Sequence, residues 1–174
     1  MISNAALYSA QLAEKFGESY YTDRMFHFNG GVFSKIPDFT PEAYKYKYAV
    51  INSKGDVVGY ISYHIDTTSL SAEDFKLINF TKRSTLVGVE FKNIFESLLL
   101  NKSIRRIMIN CASGSPFIKT FDEIFDNYRG DCLLGYNRDL ECNIESYRCS
   151  LHESIADSHG ELHDEEIYEF LIRR

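Results

Sequence analysis

The sequence predicts an α/β protein of the α+β kind, with a mixed, mostly antiparallel central sheet and helices on both faces. Residues 46–51 and 57–65 are two β-rich runs joined by a polar segment with a glycine, which is typical of a β-hairpin. A strand–turn–helix segment follows at 76–100, and another strand begins at Arg105. A strand–helix–strand passage among hairpin-connected strands favours one parallel strand pair in the sheet.

The first part of the chain predicts a helix at residues 4–16, because its apolar residues recur at four-residue spacing. Asn4 can cap this helix and Gly17 can end it. Residues 20–28 are rich in strand formers, and residues 29–41 contain Asn-Gly-Gly and two prolines, which indicates a loop.

The segment at 76–100 begins with a short apolar strand at 77–80 and continues into a polar turn. The turn carries two cations and three hydroxyls, in Thr81, Lys82, Arg83, Ser84 and Thr85. A helix follows, with its apolar stripe at Phe91, Ile94, Phe95, Leu98 and Leu99. Since the first N–H groups of a helix lack intrahelical partners and the helix dipole favours negative charge there, this turn is a candidate anion site.

The remaining elements are a strand, a helix and several further strands. The strand at 105–111 is followed by a small-residue turn, and Pro116 stands where a helix would begin, with Ser115 as its cap. That helix closes near Arg129. Strand-like runs then cover residues 132–136, 144–155 and 162–172, and the last two form a predicted antiparallel hairpin.

Composition narrows the class of protein. The 174 residues predict a single domain, 1–174, and a hydrophobic content of 44% excludes disorder as the main state. A formal net charge of −6 argues against non-specific nucleic-acid binding. No apolar run reaches the length of a membrane span and no signal peptide is visible, so we expect a cytoplasmic protein without a membrane partner.

Cysteine and histidine usage indicates no metal site. The four cysteines include no C-x-x-C pair, which is typical of free thiols in a reducing compartment. The histidines near the C-terminus straddle a hairpin turn in an acidic stretch, and a solvated hairpin accounts for them. We therefore expect no metal.

The order of elements resembles the GNAT-type N-acetyltransferases, from about residue 46 to the C-terminus. YAVINSKGDVVGYISYHID looks like the hairpin of that family, and INFTKRSTLVGVEFKNIFESLLL stands where the family has its acetyl-CoA strand, pyrophosphate loop and helix. Residues 105–136 are similar to the next strand and helix, and HGELHDEEIYEFLI to a closing strand. The resemblance implies acetyl-CoA-dependent transfer of an acetyl group to an amine of a small molecule or peptide, by direct attack.

The resemblance also implies a set of cofactor-binding residues on the strand, the turn and the strand that follows. These are Ile78, Asn79, Phe80, Lys82, Arg83, Ser84, Thr85, Asn110 and Ser115. In this interpretation the strand at 77–80 is splayed from its neighbour at Asn110, and its backbone N–H groups stabilise the developing oxyanion.

The catalytic groups are harder to assign, because the chain departs from the family pattern. Gly88 has no paired glycine in the loop, and Phe121 stands where many members have a tyrosine that protonates the CoA thiolate. Tyr128 lies on the same helical stripe and is the candidate acid. The candidate bases are His64 and Tyr63 on the hairpin and His27 on the early strand, and His64 is the one we select.

Two alternatives stay open at this point. The departures at Gly88 and Phe121 are compatible with a GNAT-fold protein that serves for binding and has little or no catalysis. The strand-rich C-terminal hairpin also offers an edge through which a homodimer could form.

Overall fold

The computed structural model describes residues 1–22, 45–81, 84–112, 114–129, 143–156 and 162–174. Within these residues the elements are β1 (Ile2–Asn4), a 3-10 helix (Ala5–Tyr8), α1 (Ser9–Thr22), β2 (Lys45–Ile51), β3 (Val57–Asp66), β4 (Ser71–Asn79), α2 (Leu86–Leu100), β5 (Arg106–Ala112), α3 (Ile118–Tyr128), β6 (Asn143–Ala156) and β7 (Leu162–Arg173).

The described strands form a mixed sheet in the order β1-β2-β3-β4-β5-β7-β6. Each neighbouring pair is antiparallel except β4 and β5, which are parallel and are joined by the crossover through α2. The predicted mixed, mostly antiparallel sheet with one parallel pair is therefore confirmed.

Helices cover both faces of the sheet, as the sequence predicts. On one face, α2 and α3 bury an apolar stripe, including Phe91 and Phe121, against β3, β4, β5 and β7. On the other face, α1 buries Leu12 and Phe16 against Tyr60 and its neighbours on β2, β3 and β4. The apolar stripe predicted for α2 is buried in full.

A glycine allows α2 to lie close to the sheet. A Cβ atom placed on Gly59 of β3 would lie 2.2 Å from Cγ2 of Val87 and 2.7 Å from the carbonyl oxygen of Ile78. Any larger residue at this position would push the first turn of α2 away from β3.

An arginine holds the other end of α2. The guanidinium of Arg174 donates to the carbonyl oxygens of Leu99 (2.7 Å), Leu98 (3.3 Å) and Asn101 (2.6 Å), and also to that of Ile104 (2.8 Å). The carbonyl groups of Leu98 and Leu99 belong to the last turn of α2, where carbonyl oxygens have no N–H donor from the helix itself. Both ends of α2 are thus fixed, which determines where its N-terminus points.

The N-terminal prediction needs correction. Residues 2–4 pair with β2 as a short strand, and Asn4 caps the 3-10 helix through a hydrogen bond from the Ala6 N–H. Gly17 lies inside α1, which continues to Thr22, so the predicted strand cannot begin at residue 20. Tertiary pairing with β2 and an unbroken helical backbone override the local signals. The rest of that predicted strand, the loop at 29–41 and the strand at 132–136 lie outside the described residues.

The strand before α2 is also longer than expected. β4 begins at Ser71, although the sequence predicts a polar connection up to residue 74 and a strand only from residue 77. Ser71 is fully buried in spite of its polarity. Among the described residues, no helix is both long enough and apolar enough to cross a membrane.

Substitution of Gly59 tests the close contact between β3 and α2. We expect Gly59→Ala to lower the free energy of unfolding by about 1–3 kcal/mol, because the added methyl group overlaps Val87 and the Ile78 carbonyl. Gly17→Ala is the matched control: it has open space in α1 and should be neutral or stabilising by up to about 1 kcal/mol. Urea unfolding measures both, and equal effects would contradict the contact.

Substitution of Arg174 tests the hydrogen bonds at the end of α2. Arg174→Ala should cost about 1–3 kcal/mol of unfolding free energy, since several carbonyl oxygens lose a charged donor. Arg173→Ala removes the same charge from an exposed neighbour and should change stability by less than about 0.5 kcal/mol. Thermal unfolding of the two variants compares them directly, and an Arg174 variant as stable as the Arg173 variant would refute this role.

Candidate functional site

The parallel strands β4 and β5 separate before either of them ends. Their last paired residues are Phe75 and Ile109. Beyond this point β4 continues to Asn79 in register with β3, and β5 continues to Ala112 in register with β7. A gap therefore opens between the carboxyl ends of the two strands. The resemblance predicts such a splay, and the structure shows it.

One extra residue in β4 marks the start of the gap. On the β3 side, Ser62 pairs with Lys76 whereas His64 pairs with Glu73. Between these two pairs the chain advances by two residues in β3 and by three residues in β4. Asp74 lies in this bulge with φ at +55°, a left-handed conformation that aspartate tolerates better than most residues. Because a β-bulge bends its strand and disrupts the ladder, the bulge accounts for the divergence of β4 from β5.

The backbone of β4 presents polar groups to the gap. The N–H of Phe80 donates to the carbonyl of Val58 on β3, at 2.9 Å. Since N–H groups alternate in direction along a strand, the N–H of Ile78 also faces β3. The N–H groups of Leu77 and Asn79 then face the side where β5 has separated.

A cleft of about 420 Å³ lies at the mouth of this gap. It lies where the end of β4, the first turn of α2 and the segment leading into α3 come together. Its lining is rich in hydroxyl groups, and consists of Asn79, Thr81, Ser84, Thr85, Gly88, Pro116, Phe117 and Thr120.

Two helices point their N-termini at this cleft. A Cβ on Gly88 of α2 would lie 3.4 Å from Oγ1 of Thr120 on α3, so the helices approach closely there. Further along, Nζ of Lys92 lies 2.7 Å from a carboxylate oxygen of Glu123, and this cation lowers the pKa of the Glu123 carboxyl group. The helices thus run side by side in one direction. Their dipoles add positive potential at the cleft.

The turn before α2 is built by side chains that the sequence assigns to a cofactor. Nδ2 of Asn79 donates to the Ser84 carbonyl at 2.8 Å, and Oδ1 of Asn79 accepts from the Thr81 N–H at 3.1 Å. Oγ of Ser84 accepts from the Leu86 N–H at 3.3 Å. The Thr85 side chain makes no capping hydrogen bond and lines the cleft. Lys82 and Arg83 lie outside the described residues.

The segment before α3 has a similar arrangement. Oγ of Ser115 accepts from the Phe117 N–H at 3.3 Å, and the Ser115 carbonyl accepts from the Ile118 N–H at 3.2 Å. Ser115 is buried, but α3 begins at Ile118 with Phe117 at the N-cap position and no side-chain capping hydrogen bond. The predicted cap at Ser115 and helix start at Pro116 are therefore each two residues too early.

Other predicted site residues lie around the gap. The side chains of Ile78 and Phe80 are buried against the α1 face, where Phe80 packs edge-on against Phe16. Asn110 follows Ile109, the last β5 residue that pairs with β4. These placements leave Asn79 as the predicted β4 residue whose backbone N–H faces the gap.

The two candidate catalytic residues lie apart from each other. His64 is opposite Glu73, and it shares the α1 side of β3 with Tyr60 by strand alternation. The Tyr128 hydroxyl donates to Oε1 of Glu96 on α2 at 2.5 Å. Tyr128 is eight residues after Thr120, or about 12 Å along the helix axis, so the structure does not bring it to the cleft.

Several residues near the gap were missed from the sequence. Gly88, Pro116, Phe117 and Thr120 line the cleft; Gly88 and Thr120 lie in the first turns of α2 and α3, and Pro116 and Phe117 directly precede α3. Tyr168 on β7 lies opposite Ile109; burial and a 2.6 Å hydrogen bond to Glu166 raise the pKa of its hydroxyl. In the described residues, no group of three or more histidine, cysteine or acidic side chains could hold a metal ion.

Comparison with known proteins supports the fold. No model of a protein family matches the sequence, and no curated protein matches it either. A spermidine N-acetyltransferase from Vibrio cholerae, solved in complex with CoA and spermine, superposes with a TM-score of 0.59 at 12% identity, over 93% of this chain and 90% of that one. A protein assigned as a phosphinothricin N-acetyltransferase superposes with a TM-score of 0.57 at 13% sequence identity, and the match covers 98% of this chain and 97% of that one.

A third structure, assigned as an acetyltransferase, gives a TM-score of 0.50 at 15% identity. The match covers 74% of this chain and 63% of the length of that protein. The sheet order, the splayed strands and these superpositions agree with one another. The chain therefore has the GNAT-type N-acetyltransferase fold that the sequence resemblance predicts.

Proposed function

We propose that this protein is a divergent member of the GNAT-type N-acetyltransferases and transfers an acetyl group from acetyl-CoA to an amine. The observation that carries the proposal is the cleft at the mouth of the β4–β5 gap, which has two helix N-termini and several hydroxyl groups beside it. Such a site suits a polyanionic group outside the sheet and an extended arm between the strands.

The diphosphate of acetyl-CoA fits the mouth of the cleft. The N–H of Leu86 is already bonded to Ser84, whereas the N–H of Gly88 has no acceptor among the described residues and lies beside the cleft. Thr85 and Thr120 add hydroxyl donors on either side. Lys82 and Arg83, which follow Thr81 in the chain, would add positive charge to the same turn.

The pantetheine arm would extend from the cleft into the gap. From Phe75, the last β4 residue that pairs with β5, to Asn79, β4 extends for about 13 Å along the gap. Backbone groups along this stretch can bond the amides of the arm, as an added strand does. The thioester then lies near the closed end of the gap, between Phe75 and Ile109.

The proposed reaction is a direct acyl transfer. The neutral amine nitrogen attacks the thioester carbonyl carbon, a C–N bond forms, the C–S bond breaks, and CoA leaves as the thiolate. The amine nitrogen loses one proton and the thiolate takes up one. In this proposal the N–H of Leu77, which faces the gap, stabilises the negative charge on the carbonyl oxygen.

We assign proton removal from the amine to His64. It lies opposite Glu73, two residues before the last β4 residue that pairs with β5, and on the sheet face opposite α2 and α3. An amine that approaches from this face would meet His64 before the thioester. Tyr128 stays a prediction as the acid, and its bond to Glu96 fits a role in joining α2 to α3.

The acceptor is proposed to be a cationic small-molecule or peptide amine. The formal net charge of −6 favours the encounter with a cation. The spermidine N-acetyltransferase of similar fold was solved with spermine, which is an amine of this class. The homodimer stays a proposal that rests on the edge position of β6.

A second candidate function is binding of CoA without efficient transfer. Phe121 favours it, because this buried side chain has no hydroxyl to protonate a thiolate. Incubation with acetyl-CoA and a panel of amines separates the two functions: bound CoA with no acetylated amine above background would establish the second.

A filled cleft should prevent CoA binding. Gly88→Leu places a side chain between α2 and Thr120, and we expect it to weaken CoA binding by at least about tenfold by calorimetry. Val89→Leu is the matched control, because Val89 is exposed on α2 and should leave the affinity within about twofold. If the wild-type protein does not bind CoA at millimolar concentration, the proposed function is wrong.

Loss of the base should affect turnover and leave CoA affinity unchanged. His64→Gln is expected to lower kcat by about 10²-fold or more while the dissociation constant for CoA stays the same. An unchanged kcat would exclude His64 as the base.

A further inference from the structure

Four aromatic side chains close the inner end of the β4–β5 gap on its helical side. They are Phe75 on β4, Phe91 on α2, Phe121 on α3 and Tyr168 on β7, and we call them the aromatic wall. All four are buried, and three of them have no exposed surface.

The aromatic wall is continuous from β4 to β7. The ring centroids of Phe75 and Phe91 are 5.6 Å apart, those of Phe91 and Phe121 are 5.6 Å apart, and those of Phe121 and Tyr168 are 5.2 Å apart. The first two pairs are edge-to-face and the third is tilted, within the range of favourable aromatic contacts.

The strand register places the aromatic wall at the closed end of the gap. Phe75 pairs with Ile109, and Ile109 pairs with Tyr168, so the three residues form one row across β4, β5 and β7. This row contains the last contact between β4 and β5. Phe91 and Phe121 lie over it from the helices.

Phe91 and Phe121 lie about one helical turn beyond the residues that line the cleft. Phe91 is three residues after Gly88 on α2, and Phe121 is four residues after Phe117 on α3. The space between the two helices is therefore open at Gly88 and Phe117 and is filled at the next turn. A ligand arm that enters at the cleft meets the aromatic wall where the strands join.

We propose that the aromatic wall restricts the donor to short acyl groups, and that Phe121 is the specificity-determining residue. The inference rests on the proposed function, because it places the thioester at the closed end of the gap. An acetyl methyl group needs little space beyond the carbonyl carbon, whereas each further methylene must displace a packed aromatic ring. Selection against longer acyl chains thus follows from packing.

The test compares free CoA, acetyl-CoA and butyryl-CoA on the wild-type protein by calorimetry, together with transfer to an amine where turnover is measurable. Free CoA carries no acyl group, so its binding tests the proposed function and is independent of the chain-length inference. We expect butyryl-CoA to bind at least about tenfold more weakly than acetyl-CoA, since two methylenes do not fit. If free CoA binds and the two acyl forms bind equally, the chain-length inference is overturned while the proposed function stands.

Variants assign the effect to Phe121. In Phe121→Ala, the ratio of butyryl-CoA affinity to acetyl-CoA affinity should rise by about tenfold. In Phe121→Leu, which removes less of the side chain, the same ratio should rise by a smaller factor. Phe125→Ala removes a ring one turn further along α3, where Phe125 packs on Tyr147, and should leave the ratio unchanged.

A folded Phe121 variant with the wild-type ratio would overturn the assignment to Phe121. An equal rise in the Phe125 variant would do the same, because it would indicate general loosening of α3. Circular dichroism and thermal unfolding identify folded variants. Should neither Phe121 variant fold, the wild-type comparison of acetyl-CoA with butyryl-CoA decides the inference.

Discussion

The bulge in β4 is the constraint on which the candidate site depends. One extra residue at Asp74 shifts the register of β4 against β3 and β5, and the parallel pairing ends directly after it. Each of the two strands keeps one neighbour, β3 for β4 and β7 for β5. The sheet therefore stays continuous below the gap, while β4 and β5 are no longer paired with each other beyond Phe75 and Ile109. This divergence creates the gap beside which the cleft lies.

The cleft at the mouth of the gap forms because α2 and α3 are held beside it. Gly59 lets the start of α2 approach β3, Arg174 fixes the opposite end of α2, and Gly88 lets α3 approach α2. A shift of either helix would move an N-terminus away from the mouth of the gap. Asn79 and Ser84 shape the turn between β4 and α2 through their side chains, which orients the first N–H groups of α2.

The sequence predicted the elements whose signal is periodic and local. The hairpin of β2 and β3 and the apolar stripe of α2 are found as expected, because alternation and helical period reflect burial directly. The start of β4 was missed because its first residues are mostly polar and show no alternation of polar and apolar side chains, although the strand has a neighbour on each side. The part of the cleft lining that lies between the helices was missed for a different reason: Gly88 and Thr120 become neighbours only when two helices lie side by side, and no local pattern contains that contact.

Phe121 links the chemistry of the site to its packing. At this position a tyrosine would place a hydroxyl in a fully buried space, and a buried hydroxyl needs a hydrogen-bond partner. The neighbours of Phe121 in the aromatic wall are the rings of Phe91 and Tyr168, and the Tyr168 hydroxyl already donates to Glu166. A phenylalanine at this position fills the space between these rings without a polar group that needs a partner. In the proposed acyl transfer, the Phe121 side chain therefore cannot supply the proton that the CoA thiolate takes up.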